Sequence, residues 1–241
     1  MMRTAIQLYT LREIDEPLPE ILARVGEVGF DGVEFAGLGD ADPADVADAL
    51  DDAGLEVAAA HVPIDELEDD PGRAARIYHE IGCEWAVVPY LDASHFESEE
   101  AATRTARRLD ELAARMEGHS TSLCYHNHDH EFVDVGGKTG FEVFLDESEL
   151  EIELDLGWTV AAGRDPVALI DSLGDRTPLV HVKDTLDGEP VELGEGDVDL
   201  SACVNAARNA GTDWLVYEHD APSDPLASLA HGAEHLRKLN E

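Results

Sequence analysis

A closed barrel of eight strand and helix units is the fold that this sequence predicts. Eight short apolar runs, each bounded by turn residues, alternate along the 241 residues with amphipathic stretches. This alternation indicates parallel strands joined by crossover helices. The length is close to the roughly 250 residues of a typical (β/α)8 barrel, the TIM barrel. We therefore predict an α/β fold, with one TIM-barrel domain over residues 1–241.

The strands are predicted from short runs that are rich in apolar residues and flanked by glycine, proline or acidic residues. In chain order they are Thr4–Tyr9, Gly32–Phe35, Leu55–His61, Trp85–Pro89, Thr121–Asn127, Leu150–Asp155, Leu179–Lys183 and Trp214–Glu218.

The helices are predicted from apolar residues that recur at helical spacing. They include Leu18–Val28, Pro43–Ala53, Gly72–Ile81, Glu99–Glu117, Pro166–Leu173, Leu200–Ala210 and Pro225–Leu239. Gly29, Gly54, Gly82 and Gly211 stand where helix C-caps need a left-handed residue. The least regular stretch, Asp184–Asp199, is predicted to be a long loop after the seventh strand.

The charge of the chain is strongly unbalanced, with 54 acidic residues against 16 lysines and arginines and a formal net charge of −38. A hydrophobic content of 44% argues against disorder as the explanation. A folded chain with this charge repels itself in dilute buffer, whereas molar salt shortens the Debye length to about 3 Å and screens the repulsion. The composition predicts a protein adapted to a salt-rich cytoplasm. It argues against a nucleic-acid partner, which would need cationic patches.

Cysteine usage and hydropathy point to the same compartment. Cys83, Cys124 and Cys203 are odd in number and widely spaced, which fits neither a disulfide framework nor a zinc ribbon. No apolar run approaches the roughly 18 residues of a membrane span, and the first residues lack the pattern of a secretory signal. We expect a cytoplasmic protein that does not bind membranes. The oligomeric state is left open, and a homo-oligomer is compatible with the sequence.

Polar side chains stand at the ends of several predicted strands. Each alone has an ordinary explanation, since a histidine after a strand is often a hydrogen-bonded core residue and a carboxylate there is often a helix N-cap. Their joint occurrence instead predicts a metal or polar substrate site, because the carboxyl ends of barrel strands meet at the active-site mouth. The residues are Glu34, His61, His126, His128, Glu131, Asp155, His181, Lys183 and Glu218.

The segment Tyr125–Phe132, with the sequence YHNHDHEF, is the densest of these signals. On a strand His126 and His128 point to the same side. A histidine-rich surface loop is the alternative interpretation. For Asp155, which precedes Leu156-Gly157-Trp158, the alternative is a helix cap.

These segments resemble the sugar phosphate isomerase/epimerase family of xylose-isomerase-like barrels, which also includes the endonuclease IV type of AP endonuclease. The resemblance covers nearly the whole chain, and the acidic composition suggests a member of haloarchaeal type. It is carried by Gln7–Arg12, Gly32–Phe35, Tyr125–Phe132, Asp155–Trp158, His181–Asp184, Gly194–Asp197 and Glu218.

The resemblance implies a divalent metal ion held by four late strands. Asp155, His181 and Glu218 match three of the family's ligands by position, and Glu131 is the predicted fourth, with His126 or His128 as a substitute. Mn²⁺ is the predicted ion, with Mg²⁺, Co²⁺ and Zn²⁺ as alternatives.

The implied reaction is proton abstraction beside the carbonyl of a keto-sugar, through an enediolate, by a sugar isomerase or epimerase. Glu218 is the predicted base and Glu131 its partner. Lys183 is predicted either to stabilise the oxyanion or to form an ion pair with Asp184 or Glu218. The expected substrate-binding residues are Glu34, His61, His126, His128 and Trp158.

Several alternatives remain on the same fold. Elimination from the same intermediate would make the protein a dehydratase or lyase of a keto-sugar or inosose, and loss of the chemistry would leave a sugar-binding barrel. The net charge argues against a nuclease. Three carboxylates within Leu193–Asp199 favour a substrate without phosphate, since like charges repel.

Overall fold

Eight parallel strands close into a barrel in the computed structural model, which describes residues 1–241. Around the barrel, each strand pairs with its neighbour in the chain, from the first to the seventh, and the last strand pairs with both the first and the seventh. The predicted TIM barrel is confirmed. Two further strands form a separate two-stranded sheet outside the barrel. In chain order the strands are β1 (Arg3–Gln7), β2 (Gly32–Phe35), β3 (Glu56–His61), β4 (Trp85–Val88), β5 (Ser122–His126), β6 (Glu151–Asp155), β7 (Leu179–Val182), β8 (Asp184–Leu186), β9 (Glu189–Val191) and β10 (Trp214–Tyr217). The two-stranded sheet consists of β8 and β9.

Helices connect the barrel strands and surround them. They are α1 (Leu18–Val28), α2 (Pro43–Ala53), α3 (Ile64–Asp69), α4 (Pro71–Glu80), α5 (Glu99–Met116), α6 (Gly140–Glu147), α7 (Leu156–Ala161), α8 (Pro166–Leu173), α9 (Leu200–Ala210) and α10 (Pro225–Asn240). None of these helices combines the length and the apolar character needed to cross a bilayer.

Local signals explain where the helices begin and end. Helices α1, α2 and α9 each end at a glycine with positive φ, 94° at Gly29, 69° at Gly54 and 88° at Gly211, as the C-cap pattern predicts. Helix α6, which the sequence analysis did not include, begins with a capping box between Thr139 and Glu142.

The loop predicted over Asp184–Asp199 is in part a β-hairpin, so that prediction is wrong for its first half. Strands β8 and β9 are antiparallel. The two residues that connect them, Asp187 and Gly188, form a turn with φ angles of 53° and 85°. An Asp-Gly pair with both φ angles positive is the preferred two-residue hairpin turn. Pro190 in the second strand makes the hairpin difficult to predict from the sequence, because proline is uncommon in strands.

Alternate residues of each strand face the barrel interior, and this alternation positions the polar side chains. In β10, Leu215 and Tyr217 pack in the large core between the barrel and the helices, whereas Trp214 and Val216 belong to a separate apolar cluster of eight residues. Glu218 continues the inward-facing series of β10. Polar groups therefore line the interior where the strands end.

The acidic surface yields a prediction for stability. We expect the melting temperature to rise as KCl increases from about 0.1 to 1 M, because the Debye length falls from about 10 to 3 Å. Each 1 kcal/mol of repulsion relieved raises the melting temperature by roughly 2–4 °C in a chain of this size. Thermal melts followed by circular dichroism would measure this, with an equal osmolality of sucrose as the control. A melting temperature independent of salt would contradict the prediction.

Candidate functional site

Four side chains from four strands bring possible ligand atoms to one place at the mouth of the barrel. These are His126, Asp155, His181 and Glu218, and their ligand atoms lie within 4.8 Å of one another. Strand register sets the arrangement, since Asp155 is paired with His181 across β6 and β7. We call these four residues the upper set.

The atoms of the upper set suit a divalent cation. Nδ1 of His181 lies 3.1 Å from Oε2 of Glu218, and Oδ2 of Asp155 lies 3.9 Å from a ring nitrogen of both His126 and His181. Asp155 Oδ2 is buried and accepts no well-aligned hydrogen bond, although Lys183 Nζ lies 3.1 Å away. A cation bound among the four ligand atoms would compensate this buried oxygen further. Two imidazoles and two carboxylates are ligands that Mn²⁺, Co²⁺ and Zn²⁺ accept.

Asp155 also has the second role that the sequence left open. Its Oδ1 accepts a hydrogen bond of 2.7 Å from the Trp158 backbone N–H, which caps α7. The two oxygens of one carboxylate thus divide between the helix terminus and the upper set. Cap and ligand are compatible interpretations of this residue.

Lys183 is buried beside the upper set. Its Nζ lies 3.1 Å from Asp155, 3.0 Å from Glu218 and 2.8 Å from Asp220. Of the two ion-pair partners considered for Lys183, the structure shows Glu218 and not Asp184. Burial lowers the pKa of Lys183, but the three carboxylates outweigh it and raise that pKa above its usual value. Lys183 is therefore a permanent cation.

The same environment keeps Glu218 ionised. Burial opposes ionisation, but Lys183 and His181 outweigh it and hold the pKa of Glu218 well below its usual value. For Asp155, burial dominates over the attraction of Lys183 and raises the pKa to about 6. Both groups are mainly carboxylates at neutral pH.

A second set of polar groups lies deeper in the barrel. His61, His126, Glu153 and His181 have ligand atoms within 4.8 Å of one another, and Glu34 reaches the same place, with its Oε2 2.6 Å from His181 Nε2. We call these five residues the lower set. Both Glu34 and His61 are predicted to contact substrate. His61 lines the cavity described below, whereas Glu34 does not line it and is fully buried beneath His181.

Glu153 is not among the site residues predicted from the sequence, because it lies inside a strand and not at its end. It stands two residues before Asp155 on β6 and so faces the same side. Its Oε2 lies 2.9 Å from His61, 3.1 Å from His126 and 3.2 Å from His181. The two-residue spacing between Glu153 and Asp155 is the only feature of the sequence that indicates this position.

The buried carboxylates of the lower set differ in their pKa values. For Glu34, burial and the neighbouring charge of Glu153 raise the pKa to about 7. Burial also acts on Glu153, but His181, His126 and His61 outweigh it and place its pKa well below the usual value. Glu153 is thus a carboxylate in contact with three imidazoles.

Glu131, the predicted fourth ligand and proton-transfer partner, lies outside both sets. It belongs to a 3-10 turn, Asp129–Phe132, and its Oε1 accepts a hydrogen bond of 2.6 Å from the Tyr125 hydroxyl. Tyr125 packs in the core between barrel and helices, whereas His126 faces the interior. Burial raises the pKa of Glu131 well above its usual value. The geometry favours His126, the substitute considered in the sequence, as the fourth ligand.

His128 and Trp158 form a wall beside the site. Their rings stack with centroids 5.8 Å apart, and Lys183 Nζ lies 4.7 Å above the indole ring. Burial lowers the pKa of His128 to about 2 and that of His126 to about 3, so both imidazoles are neutral at physiological pH. Nδ1 of His128 is buried and has no hydrogen-bond partner.

A cavity of about 350 Å³ opens above these groups. Tyr9 and Tyr90 line it and are 43% and 53% exposed, which leaves two aromatic rings available at its mouth. Neither lysine nor arginine is among the lining residues. The other lining residues are Ala36, His61, Pro63, Pro89, His126, His128, Glu218 and Asp220.

The glycine-containing loop after β9 binds the side-chain carboxylate of Asp184. The Asp184 carboxylate accepts hydrogen bonds from the backbone N–H groups of Gly194, Gly196 and Val198, at 2.9, 3.0 and 3.1 Å. A Cβ added to Gly196 would lie 2.2 Å from Asp184 Oδ1, so glycine is needed for this approach. Backbone donors that would otherwise suit a phosphate are already bound.

Comparison with known proteins agrees with this architecture. Residues 22–239 match the family described as xylose isomerase-like TIM barrel. A sugar phosphate isomerase/epimerase from Parabacteroides distasonis superposes with a TM-score of 0.86 at 21% identity, covering 98% of this chain and 93% of that structure. At this identity the superposition shows the shared fold.

Two curated relatives are similar in sequence. The rhizopine catabolism protein MocC of Rhizobium meliloti is 24% identical over 268 residues, covering 93% of this chain and 82% of that protein. The inosose dehydratase of Geobacillus kaustophilus is 25% identical over 190 residues. That alignment covers 68% of this chain but only 61% of the dehydratase, so the match spans about three fifths of the relative.

Proposed function

The chain belongs to the xylose isomerase-like TIM barrel family, and we propose that it is a divalent-metal-dependent isomerase or epimerase of a keto-sugar without phosphate. The observation that carries the proposal is the upper set, in which four ligand atoms from four strands lie within 4.8 Å of one another. The relatives' names place sugar isomerases, epimerases and dehydratases on this fold.

His126, Asp155, His181 and Glu218 would hold the cation. Mn²⁺ is our first choice, since it accepts both imidazole and carboxylate ligands. A bound divalent ion polarises a carbonyl and stabilises the negative charge that develops when the neighbouring carbon loses its proton.

Proton transfer would then fall to side chains of the cavity. Glu218 is ionised and lines the cavity, which suits a general base. The neutral ring of His128, which lines the same cavity with an unpartnered Nδ1, is too weak an acid to return a proton and would instead bind a substrate hydroxyl. Glu131, the predicted partner, does not line the cavity. Protonated Glu218 would return the proton to the neighbouring carbon, which isomerises the sugar, whereas solvent water on the opposite face would return one to the same carbon, which epimerises it. Lys183 would favour negative charge on the substrate oxygen, since its ammonium lies between Glu218 and Asp155.

The cavity favours a neutral polyol over a sugar phosphate. It presents no lysine or arginine, and its carboxylates repel a phosphate dianion. The backbone N–H groups of the Gly194–Val198 loop are bound to Asp184. Tyr9 and Tyr90 can pack against the apolar face of a sugar ring.

Solvent-deuterium exchange tests the proposal. In ²H₂O at high KCl, with Mn²⁺ and a panel of keto-sugars and inososes without phosphate, we expect deuterium at the carbon beside the carbonyl of one sugar, detected by NMR. EDTA should abolish the exchange. The matched phosphorylated sugars should be poorer substrates. A protein that binds Mn²⁺ but labels no sugar would instead be a binding barrel.

A dehydratase is the second candidate, and the match to inosose dehydratases favours it. Removal of the same proton followed by departure of a β-hydroxyl would release water. The exchange experiment separates the two, because elimination lowers the product mass by one water and creates a conjugated carbonyl that absorbs ultraviolet light.

A further inference from the structure

The mouth of the barrel is divided into two arcs of different chemistry. The upper set comes from β5, β6, β7 and β10, which are consecutive around the barrel. The strands β1 to β4 complete the circle, and the residues that follow or end them form the other wall of the cavity. Apart from His61, which belongs to the lower set, the lining residues of this side carry no charged group or imidazole. We call them the apolar arc, and they are Tyr9, Ala36, Pro63, Pro89 and Tyr90.

Tyr90 is held in place by two imidazoles. Its ring meets that of His128 edge to face, with centroids 5.2 Å apart and planes at 85°, and lies 5.3 Å from the ring of His130. His130 is fixed in turn, because its Nε2 donates a hydrogen bond of 2.8 Å to the Leu91 carbonyl. The fixed φ angle of Pro89 restricts the backbone just before Tyr90. The ring therefore faces the cavity in a defined position although half of the residue is exposed.

Tyr9 is held by Arg12. The Arg12 guanidinium lies 3.9 Å from the centroid of the Tyr9 ring and donates a hydrogen bond of 2.8 Å to the Tyr9 carbonyl. The Tyr9 N–H donates a further hydrogen bond, of 3.0 Å, to the side chain of Gln7. The guanidinium covers one face of the ring and leaves the other for a ligand. Two aromatic rings that are ordered before binding lose little conformational entropy when a ligand packs on them.

A flat aromatic face packs best against C–H groups that lie in one plane. A saturated sugar or cyclitol ring offers such a plane, because its equatorial hydroxyls point outward along the edge and its axial hydrogens cover the faces. An open-chain sugar does not, since successive carbons turn their hydroxyls to different sides. A ring that lies across the cavity can thus present oxygen atoms to the upper set and C–H groups to the apolar arc.

We propose that the apolar arc selects a ketone carried on a closed ring, with Tyr9 and Tyr90 as the specificity-determining residues. The inference deepens the proposed function and rests on it, since it takes the upper set as the end of the site that binds the carbonyl. A free ketose does not combine ring and ketone, because closing its ring converts the carbonyl into a hemiketal. The substrate class is therefore a cyclitol ketone, or a glycoside oxidised at a ring carbon other than the anomeric one.

An apolar end group, such as the methyl group of a deoxy-sugar, is the competing occupant of the apolar arc. A methyl group is best buried in a closed pocket, whereas Tyr9 and Tyr90 are broad surfaces that remain open to water. The cavity volume of about 350 Å³ is at the small end of the roughly 300–1,000 Å³ of ligand pockets, which suits one ring.

Two polyols without a carbonyl group test ring recognition separately from metal and reaction. myo-Inositol and D-glucitol have the same numbers of carbons and hydroxyls and differ in ring closure. We expect the metal-free protein, in EDTA and high KCl, to bind inositol about 5-fold more tightly than glucitol, within the range of one or two aromatic contacts. Ligand-observed NMR titration measures both affinities. Ring currents of the tyrosines should also shift the C–H protons of bound inositol upfield.

Substitutions of Tyr90 test the residue assignment. Tyr90→Leu removes the aromatic ring and stays apolar, whereas Tyr90→Phe keeps the ring. We expect inositol affinity to fall roughly 2- to 12-fold in Y90L, the range of an aromatic contact, with the upfield shift reduced and glucitol affinity unchanged. Y90F should bind inositol as the wild type does. Leu226→Ala is the control, since Leu226 is exposed on α10 and does not line the cavity.

Several results would overturn the inference. These are equal binding of inositol and glucitol, no detectable binding of inositol, unchanged inositol binding in Y90L, or tighter binding of a deoxy-hexitol than of inositol. Should Y90L not fold, Tyr9→Leu and the comparison of the two polyols in the wild type decide.

The two proposals can fail separately. If inositol is preferred but no ketone takes up deuterium with Mn²⁺ present, the proposed function fails and the ring selection stands. If a free ketose exchanges faster than an inosose in the presence of Mn²⁺, the metal-dependent chemistry stands and the ring selection fails.

Discussion

Replacement of Asp155 by asparagine is expected to strip the protein of its divalent cation while the barrel stays folded. Oδ1 of Asp155 caps α7 by accepting the Trp158 N–H, and asparagine caps helices as well as aspartate does. Oδ2 is the atom that faces the upper set, and in asparagine an NH₂ group takes its place. That group donates hydrogen bonds and cannot ligate a cation.

The expected loss of Mn²⁺ affinity in D155N exceeds the roughly 10–100-fold cost of losing an outer-sphere partner, because a ligand is removed. The measurement is metal content after dialysis against limiting Mn²⁺, with melting temperature to confirm folding. Asp165→Asn is the matched control. Asp165 caps α8 by accepting the Val167 and Ala168 N–H groups, and it is exposed away from both sets.

D155N also tests the ligand assignment against the cap interpretation. If Asp155 served only as a helix cap, D155N and D165N would behave alike, with full metal content and nearly unchanged stability. Equal occupancy in D155N and wild type would therefore contradict the assignment. Asp155→Ala is less informative, because loss of the cap alone costs about 0.5–2 kcal/mol.

Most of the fold could be predicted because its signals are local. Strand runs bounded by turn residues, together with glycine C-caps such as Gly54 and Gly211, are set by neighbours in the chain. Asp155, His181 and Glu218 were found for the same reason, since the end of a strand marks the mouth of a barrel. Closure of the barrel brings the ends of these strands together, so the three side chains lie close to one another.

The remaining part of the site depends on which way side chains face. Glu131 follows β5 by a few residues, but a 3-10 turn directs it to the Tyr125 hydroxyl on the outer side of the barrel wall. Glu153 is hidden in the sequence as one of two glutamates around Ile152, which face the same side of β6. Only its depth in the closed barrel sets it apart, because Glu153 is fully buried whereas Glu151 is partly exposed. Asp184 is a further case, since its backbone partners ten to fourteen residues later are a tertiary property.

Lys183 leads to the second large expected effect. Substitution of this residue by methionine should destabilise the metal-free protein by about 3–5 kcal/mol, the cost of removing one partner from a buried ion pair. Lys183 is 1% exposed and lies within 3.1 Å of the carboxylates of Asp155, Glu218 and Asp220. Without the ammonium, these three negative charges would repel one another in a site with little water.

A divalent cation should offset much of this cost. Mn²⁺ in the upper set would contact Asp155 and Glu218, two of the three carboxylates that Lys183 compensates, so the ion and the ammonium compete electrostatically. We expect Lys183→Met to bind Mn²⁺ more tightly than the wild type and to be stabilised more by it. Binding at 100 times the dissociation constant adds about 2.7 kcal/mol to the stability of the folded state.

Urea unfolding at high KCl, with EDTA or with saturating Mn²⁺, would measure both effects. Lys138→Met is the control, because Lys138 pairs with Asp146 at the surface, where an ion pair contributes about 0–1 kcal/mol. Equal stabilisation of K183M and wild type by Mn²⁺ would show that the ion binds away from Lys183 and the upper set. A K183M protein that folds only when Mn²⁺ is present would be the strongest form of the expected result, because the cation would then replace the lysine as the charge that holds these carboxylates together.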